Sequence, residues 1–580
     1  MNKSAVIHIP MSQYAFPLSE DKFTIRIRTA SGDLDECTLF YGDRAYPHTP
    51  MAFSKAHMNM IFFTKEYDMY EYTIEECPSR LCYFFELKSD GKKVYYYADR
   101  FHDSLADVQL DNGAVLEGRS EYYQYPIILK SEIIQIPRWF INSRVYNIFP
   151  DSFANGKRLI NDNKLMITDE DGNYHNSCHG GTIRGITENL DYIKQMGFNC
   201  VYLNPIFSAG EYHKYDILDY YNIDPMLGTN DDFRILVEEA HSLGMHVIID
   251  GVFNHCSWYF FAFDDVVKNG KLSRYSDWFY DIDYPVSRPQ NASEKPQYAC
   301  FAYERKMPKL NTSNEEVQEY FSDVGVYWIN KYHIDGWRLD VANEVDKNFW
   351  RKFRNKVKKA NSEAILIGEV WENARSWLEG DMFDSVMNYD FRNICRNYFA
   401  FSQINESEFA GEIMDMLLRY PKQTMLSQLN LLDSHDVARF LSLCKGDADL
   451  YRCAMCFMFM MPGVPDVFYG DEKEICGTDE QGYRAAMNWN DFNDDEEYIS
   501  KLSTIREKYI DLDSSFKIGV CDDVRHILSI TWSGKRSIEI IFCKSELKKD
   551  ELVNAEDKIL LAYNFNGEIM QKNSCVILEK

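Results

Sequence analysis

The middle of the chain alternates short apolar segments with amphipathic helical patterns, and this alternation limits the folds that are open to it. Runs of apolar residues at helical spacing lie in 233–243 and 317–328, between the apolar segments. Eight apolar segments have strand length and lie at 145–149, 200–203, 247–249, 336–341, 365–367, 386–387, 429–432 and 467–469. Eight β–α units of this kind predict an α/β fold built on a (β/α)8 TIM barrel.

Segments with a different pattern of polar and apolar residues flank this region. Residues 1–125 alternate polar and apolar side chains between turn residues, which predicts an N-terminal β-sandwich, and 126–138 is expected to be a linker. The barrel is then expected over 139–512, and 513–580 returns to short strands, which predicts a C-terminal β-sandwich. The interval of about 256–311 after the third strand is too long for an ordinary loop and predicts a small inserted domain.

Charge and cysteine content exclude several classes of partner. Lys and Arg number 63 and Asp and Glu number 90, so the net charge of −27 disfavours nucleic acid and anionic membranes and favours a neutral partner. The 15 cysteines are odd in number and scattered, which predicts reduced thiols and a cytoplasmic protein. No stretch reaches the roughly 18 apolar residues that a membrane helix needs, and no signal peptide is expected.

Ionisable residues follow several of the predicted strands, where barrel enzymes carry their chemistry. They are Asp250 and His255 after the third strand, Arg338, Asp340 and Glu344 at the fourth, Glu369 after the fifth, and His435 and Asp436 after the seventh. One such Asp alone is as readily a helix cap, but carboxylates at several strand ends predict a shared site. Carboxylates in one pocket repel each other, and retaining glycoside hydrolysis is a reaction that uses two of them roughly 5 Å apart.

Arg338 and Asp340 are two residues apart on one predicted strand, so their side chains face the same side. We expect the Arg338 cation to keep Asp340 ionised as a nucleophile, while Glu369 stays protonated as an acid.

These strand-end segments resemble the conserved regions of the α-amylase family of glycoside hydrolases. The segments Met307-Pro-Lys-Leu-Asn311 and Val341-Ala-Asn-Glu344 are similar to the neopullulanase, cyclomaltodextrinase and maltogenic amylase group. The N-terminal module resembles that of the same group through Tyr41-Gly-Asp-Arg44. The resemblance covers nearly the whole chain.

The resemblance implies roles for particular residues. Asp340 would be the nucleophile, Glu369 the general acid and base, and Asp436 the residue that stabilises the transition state. The implied substrate-binding residues are Tyr215 under the sugar ring, His255 and His435 on its hydroxyls, Arg338 and Asp250 in support, Glu344 at the acceptor side, and Glu480 or Asp479 with Arg484 at the non-reducing side.

The resemblance also implies substrates, assembly and cofactors. Cyclodextrins, pullulan or maltooligosaccharides would be hydrolysed, with some transglycosylation, by a homodimer that forms through the N-terminal module. No cofactor is expected to be required. The family's calcium segment leaves only Asn155, Asn161 and Asp162 as weak ligands here, because Lys157 stands where an Asp is usual. A second departure is Glu372, where the group usually has His.

Two alternatives remain open. On the same fold, the chain could be an oligo-1,6-glucosidase or a glucanotransferase, although the Met307 to Asn311 segment disfavours both. A non-catalytic barrel that only binds glucan is disfavoured, because both the nucleophile and the acid are present.

Overall fold

A computed structural model describes residues 1–48, 52–104, 122–156, 165–291, 293–490, 495–511, 513–554 and 556–580. Within them the chain forms two compact units. The first contains Met1–Gln135, Asn405–Met425 and Lys517–Val524, and the second contains Ile136–Ile404, Leu426–Phe516 and Arg525–Lys580. In the described residues, we find no helix with the length and apolar character that crossing a membrane requires.

The first unit is a β-sandwich. Its described strands are β1 (Ala15–Pro17), β2 (Phe23–Ala30), β3 (Glu36–Asp43), β4 (Ser54–His57), β5 (Asn59–Phe63), β6 (Tyr67–Ile74), β7 (Leu81–Ser89), β8 (Lys92–Tyr97), β9 (Arg100–His102) and β10 (Tyr123–Tyr125). They form sheets of order β1-β2-β6-β5 and β4-β3-β7-β8-β9, with β10 on β7. Apolar residues from both sheets, such as Ile25 and Phe85, share one core, so the predicted sandwich is confirmed.

The second unit contains the predicted barrel. The described strands from 145 to 468 are β11 (Val145–Ile148), β12 (Leu165–Thr168), β13 (Tyr174–Ser177), β14 (Cys200–Leu203), β15 (Phe207–Ala209), β16 (Ile217–Ile223), β17 (His246–Gly251), β18 (Gly336–Leu339), β19 (Ile365–Gly368), β20 (Ser385–Asn388), β21 (Leu429–Leu431) and β22 (Val464–Phe468). Of these described strands, eight close in the order β11-β14-β17-β18-β19-β20-β21-β22. Neighbouring barrel strands are parallel, so their carboxyl ends meet at one rim.

Amphipathic helices follow the barrel strands. The α-helices within the described ranges are α1 (Arg138–Ile141), α2 (Pro150–Phe153), α3 (Ile183–Thr187), α4 (Leu190–Gln195), α5 (Asn230–Ser242), α6 (Phe261–Asn269), α7 (Glu315–Tyr332), α8 (Lys347–Ala360), α9 (Tyr389–Cys395), α10 (Glu406–Leu418), α11 (Lys422–Ser427), α12 (Phe440–Leu443), α13 (Ala448–Met460), α14 (Glu480–Tyr483) and α15 (Asp495–Tyr509). The predicted apolar faces of α5 and α7 are buried, for example at Phe233 and Trp328.

The interval between β17 and α7 is an insertion at the rim of the barrel. Its described residues include α6 and the 3₁₀ turns Gly270–Leu272 and Ser276–Trp278. Its end returns to the barrel through a bridge from Lys309 to His255, and Leu310 bridges to Phe279 within the insertion. The predicted inserted segment therefore reaches residues that follow the third barrel strand.

The C-terminal end is rich in β-structure, as predicted. Its described strands are β23 (Ser515–Asp522), β24 (Ile527–Ser533), β25 (Ile538–Cys543), β26 (Leu547–Lys548), β27 (Lys558–Phe565) and β28 (Ile569–Glu579). Within the second unit, β28 pairs with β25, β26 and β27, and β25 pairs with β24. Ile541 and Leu578 belong to the apolar cluster that these strands bury.

Candidate active site

A cavity of about 370 Å³ opens at the rim formed by the carboxyl ends of the barrel strands. Such a volume is in the range of small-molecule binding sites. The cavity is lined by His213, Tyr215, His255, Phe301, Met307, Asp340, Val341, Asn343, Glu369, Trp371, Asp436, Glu480 and Arg484. Three carboxylates that are far apart in the sequence, Asp340, Glu369 and Asp436, therefore share one pocket.

Arg338 lies beneath the cavity and organises its carboxylates. The guanidinium is fully buried, and Nη1 lies 2.9 Å from Asp250 Oδ2 and 3.0 Å from Asp340 Oδ1. Nη2 lies 3.0 Å from Glu369 Oε2. The parallel register pairs Asp250 on β17 with Arg338 on β18, which places the first ion pair at the strand ends. One planar cation thus brings the Asp340 and Glu369 carboxyl groups side by side.

Glu369 is held at both of its oxygens. The backbone N–H of Val341 donates to Oε2 at 2.8 Å, and Trp371 Nε1 donates to Oε1 at 2.9 Å. Asp340 is held at one oxygen only. Its Oδ2 is buried and has no hydrogen-bond partner among the described residues. The cavity wall therefore contains one carboxyl group that is fixed at both oxygens and a second, Asp340, with one oxygen that no described residue bonds.

The neighbouring Glu369 carboxyl affects the protonation of Asp340. Burial and the negative charge of Glu369 raise the pKa of Asp340 well above its usual value, and the Arg338 cation offsets only part of this. The expected contact between Arg338 and Asp340 is present, but burial and the neighbouring Glu369 charge oppose the ionisation that this contact favours.

Asp436 also lines the cavity, and its surroundings favour the ionised carboxylate. Burial would raise its pKa, but His435, whose Nε2 lies 2.9 Å from Oδ2, and Arg484, 3.3 Å from Oδ1, together lower it below the usual value. The Tyr215 hydroxyl bonds the same imidazole and lies 3.3 Å from Asp250. The Tyr215 ring stacks on His435, with 5.5 Å between centroids.

His255 is a neutral polar group in the cavity wall. Burial, with the nearby Lys309 charge, lowers its pKa to about 3, and its ring stacks on Phe301 at 4.8 Å. Its Nε2 is buried without a hydrogen-bond partner in the part of the chain that the structure describes. A neutral imidazole nitrogen in this position suits a sugar hydroxyl.

A profile of the family described as "Alpha amylase, catalytic domain" matches residues 147–514, which is more than half of the chain. The chain belongs to the α-amylase family. A second profile, "Alpha amylase, N-terminal ig-like domain", matches residues 1–113.

Several proteins of the α-amylase family are similar to this chain over most or all of their length. The chain is 37% identical to a cyclomaltodextrinase of Thermoanaerobacter pseudethanolicus, with 100% of each chain covered. It is 37% identical to neopullulanase 2 of Thermoactinomyces vulgaris, over 88% of this chain and 85% of that one. A solved cyclomaltodextrinase structure superposes with a TM-score of 0.86 at 31% identity, over 100% of this chain and 98% of that chain.

The other residues that the α-amylase resemblance implied differ in whether they line the cavity or lie behind its lining. Asp250, Arg338 and His435 are buried and support the lining rather than form it. Glu480 and Arg484 line the cavity and pair at 2.6 Å, whereas Asp479 caps α14. Glu344 is not a lining residue.

Glu344 is instead part of a connection between the insertion and the barrel. Its Oε2 lies 2.9 Å from Lys309 Nζ, which also bonds the Asn254 side chain and the Glu344 carbonyl. Glu344 thus lies beside the cavity at the fourth strand, held by the Lys309 ammonium. Its role at the acceptor side stays a prediction.

Some lining residues were not predicted as site residues from the sequence. They are His213, Phe301, Met307, Val341, Asn343 and Trp371. Most of these lie in a family motif beside a predicted site residue, so the motif could have identified them as lining residues. Phe301 is the exception, because it lies inside the insertion, where no pattern connected it to the barrel.

Calcium remains a prediction. Asn161 and Asp162 lie outside the described residues, and Asn155 lies within them. Among the described side chains, no group of three or more His, Cys, Asp or Glu is placed to hold a metal ion.

Proposed function

We propose that the protein is a retaining α-glucan hydrolase that cleaves α-1,4 bonds, and also α-1,6 bonds, in cyclodextrins, pullulan or maltooligosaccharides. The observation that carries this proposal is the pair of carboxyl groups on one guanidinium at the cavity floor, with Asp340 Oδ2 left unbonded. Retaining glycosidases use such a close pair, one as nucleophile and one as acid.

In this mechanism Asp340 Oδ2 attacks the anomeric carbon while Glu369 gives its proton to the leaving oxygen. The bond from the anomeric carbon to that oxygen breaks, and an ester to Asp340 forms. Glu369, now ionised, takes a proton from water as the water oxygen displaces Asp340. Arg338 contacts both carboxyls throughout, and the ionised Asp436 stabilises the positive charge that develops on the sugar ring.

The first chemical step requires a proton on Glu369 and a charge on Asp340. The leaving oxygen accepts a hydrogen bond from a protonated Glu369, so a bound substrate favours a proton at this position. His255 is neutral and Asp436 is anionic near neutral pH because of the pKa shifts described above. A neutral imidazole suits a sugar hydroxyl, and an anionic Asp436 suits the positive charge that develops on the sugar ring.

The names of the similar proteins support the substrate class. Cyclomaltodextrinase and neopullulanase name cyclic dextrins and pullulan as their substrates. We extend that class to this chain, together with some transglycosylation. The oligo-1,6-glucosidase and glucanotransferase alternatives keep the fold but differ in the bond that is cleaved or in the acceptor, which product analysis distinguishes.

We further propose a cytoplasmic homodimer that needs no cofactor. The 15 cysteines, all described, are free thiols, which suits a reducing compartment. Dimerisation through the N-terminal module rests on the resemblance to the neopullulanase group.

Replacing either carboxyl should abolish turnover without unfolding the protein. Asp340→Asn and Glu369→Gln should each lower kcat on maltotriose by about 10³-fold or more, because each step loses its nucleophile or its proton donor. Chromatography of products from maltotriose, pullulan and β-cyclodextrin measures this and ranks the substrates. Unfolding temperatures serve as the check on folding.

Glu379→Gln is the matched control, since Glu379 is an exposed glutamate that is not a lining residue of the cavity. It should leave turnover unchanged. Near-full activity in either active-site variant would contradict the proposed function.

A further inference from the structure

The loop after the fourth barrel strand is attached to the loop after the fifth at three points. Val341 N–H donates to Glu369 Oε2 at 2.8 Å, and Ala342 N–H donates to the Glu369 carbonyl at 3.1 Å. The third point is a hydrogen bond of 3.0 Å from Asn343 Nδ2 to Glu372 Oε1. Val341 has a φ of 44°, which is strained for a β-branched residue, so the surrounding contacts hold this turn in place.

This wall of the cavity faces the leaving group. Glu369 donates its proton to the leaving oxygen, so the residues beyond it, Asn343 and Trp371, face the part of the substrate that departs. The same space receives the acceptor when the glycosyl-enzyme is broken. Trp371 supplies a flat surface here, since its ring stacks on Tyr389 at 3.9 Å and remains 45% exposed.

The hydrogen bond to Glu372 determines the orientation of the Asn343 side-chain amide. A carboxylate only accepts hydrogen bonds, so the amide must direct its NH₂ group to Glu372. The carbonyl Oδ1 of Asn343 is then the amide oxygen that remains for a ligand. An oxygen that accepts a hydrogen bond suits a sugar hydroxyl, which can donate one.

We propose that Glu372 is a positioning residue that fixes Asn343 as a hydrogen-bond acceptor for the acceptor sugar, and so sets the ratio of glycosyl transfer to hydrolysis. This inference rests on the proposed function. In transfer, the ester bond from Asp340 to the anomeric carbon breaks, and a bond to the acceptor hydroxyl oxygen forms. The hydroxyl proton passes to Glu369. Water enters the same step without needing Asn343.

The test measures partition of the glycosyl-enzyme. p-Nitrophenyl α-maltoside is the donor and methyl α-glucoside is the acceptor. Released nitrophenol counts every turnover, and chromatography counts the transfer product. The ratio of transfer to hydrolysis reports acceptor binding, whereas general damage to the enzyme lowers both rates and leaves the ratio unchanged.

The variants at Glu372 should change the ratio of transfer to hydrolysis by different amounts. Glu372→Gln keeps an oxygen that accepts from Asn343, so the ratio should stay within about twofold of the wild type. Glu372→Ala should lower the ratio about fivefold, because the amide is free to rotate. Glu372→Lys should lower it further, because an ammonium donates and turns the Asn343 oxygen away from the sugar.

Two controls separate positioning from charge. Glu379→Lys makes the same change of charge at an exposed glutamate that does not line the cavity, and should leave the ratio unchanged. In an Asn343→Ala background, Glu372→Ala should have no further effect, because its effect acts through the amide.

An unchanged ratio in Glu372→Ala, or equal effects in the presence and absence of Asn343, would overturn the inference. A wild type that hydrolyses but yields no transfer product would also overturn it and leave the proposed hydrolysis standing. A wild type inactive on every glucan would overturn the proposed function itself, and this inference with it.

Discussion

The buried guanidinium of Arg338 contacts three carboxylates, at Asp250, Asp340 and Glu369. One cation cannot neutralise three buried anions, so ionisation of Asp340 in this cluster is unfavourable. Burial and the charge of Glu369 accordingly raise the pKa of Asp340, and Arg338 offsets only part of this. The proposed mechanism needs a charge on Asp340, which Arg338 favours and Glu369 opposes.

Another buried carboxyl, Asp466 on β22, permits a test of stability against pH. Burial raises its pKa from 3.8 to about 8, and the hydrogen bond from Asn147 lowers it only in part. The folded state therefore holds a proton that the unfolded state releases above pH 3.8. Stability from this group is complete at low pH and is lost as pH rises toward 8.

Asp466→Asn, which keeps the shape and cannot ionise, should therefore be more stable than the wild type at pH 8. The gap between the two should widen by up to about 1.4 kcal/mol per pH unit between pH 5 and pH 8. Thermal unfolding across that pH range measures it. Asp171→Asn, at an exposed turn, should show no such trend, and a gap that is independent of pH would contradict the argument.

Helix packing depends on the absence of a side chain at one glycine. A Cβ added to Gly325, in α7, would lie 2.5 Å from the Phe353 ring and 3.3 Å from Val357, both on α8. Gly411, in α10, is also helical, but a Cβ added there would have Thr64 Cγ2 as its nearest atom, at 3.8 Å. The same substitution therefore overlaps a packed core at one site and makes an ordinary van der Waals contact at the other.

Gly325→Ala should lower the free energy of unfolding by about 1–3 kcal/mol, because overpacking outweighs the gain in helix propensity. Gly411→Ala should raise it by up to about 1 kcal/mol, because propensity alone changes there. Each effect is read as the midpoint of thermal or urea unfolding. Two changes of the same sign would show that propensity, and not helix contact, governs both positions.

The charge of the whole molecule bears on its assembly. Two copies that each carry −27 repel one another, and salt screens this repulsion over about 10 Å at 0.1 M. If copies associate, they should do so through apolar surface. Met60 and Phe63 on β5 are exposed by 51% and 67%.

Analytical ultracentrifugation at micromolar concentration should therefore give a dimer in about 0.15 M salt and partial dissociation in about 0.01 M salt. Phe63→Lys would test whether β5 takes part, since a charge on an apolar contact weakens it. Monomer at every salt concentration would contradict the proposed homodimer.

The sequence determined the architecture, because burial patterns are local. Eight short apolar segments and the helical runs between them fixed a barrel, since a strand buried on both faces must be apolar throughout and a helix on the outside must be so along one stripe. The same reasoning located Asp340, Glu369 and Asp436 at strand ends. Motif resemblance then supplied their roles.

Only the tertiary structure decided what depends on several elements at once. Phe301 reaches His255 because the insertion folds back onto the barrel, and Glu372 reaches Asn343 because two loops are attached side by side. The protonation of Asp340 depends on how deeply it lies and on which charges surround it. Distances between residues remote in sequence are set by packing, and no local pattern encodes them.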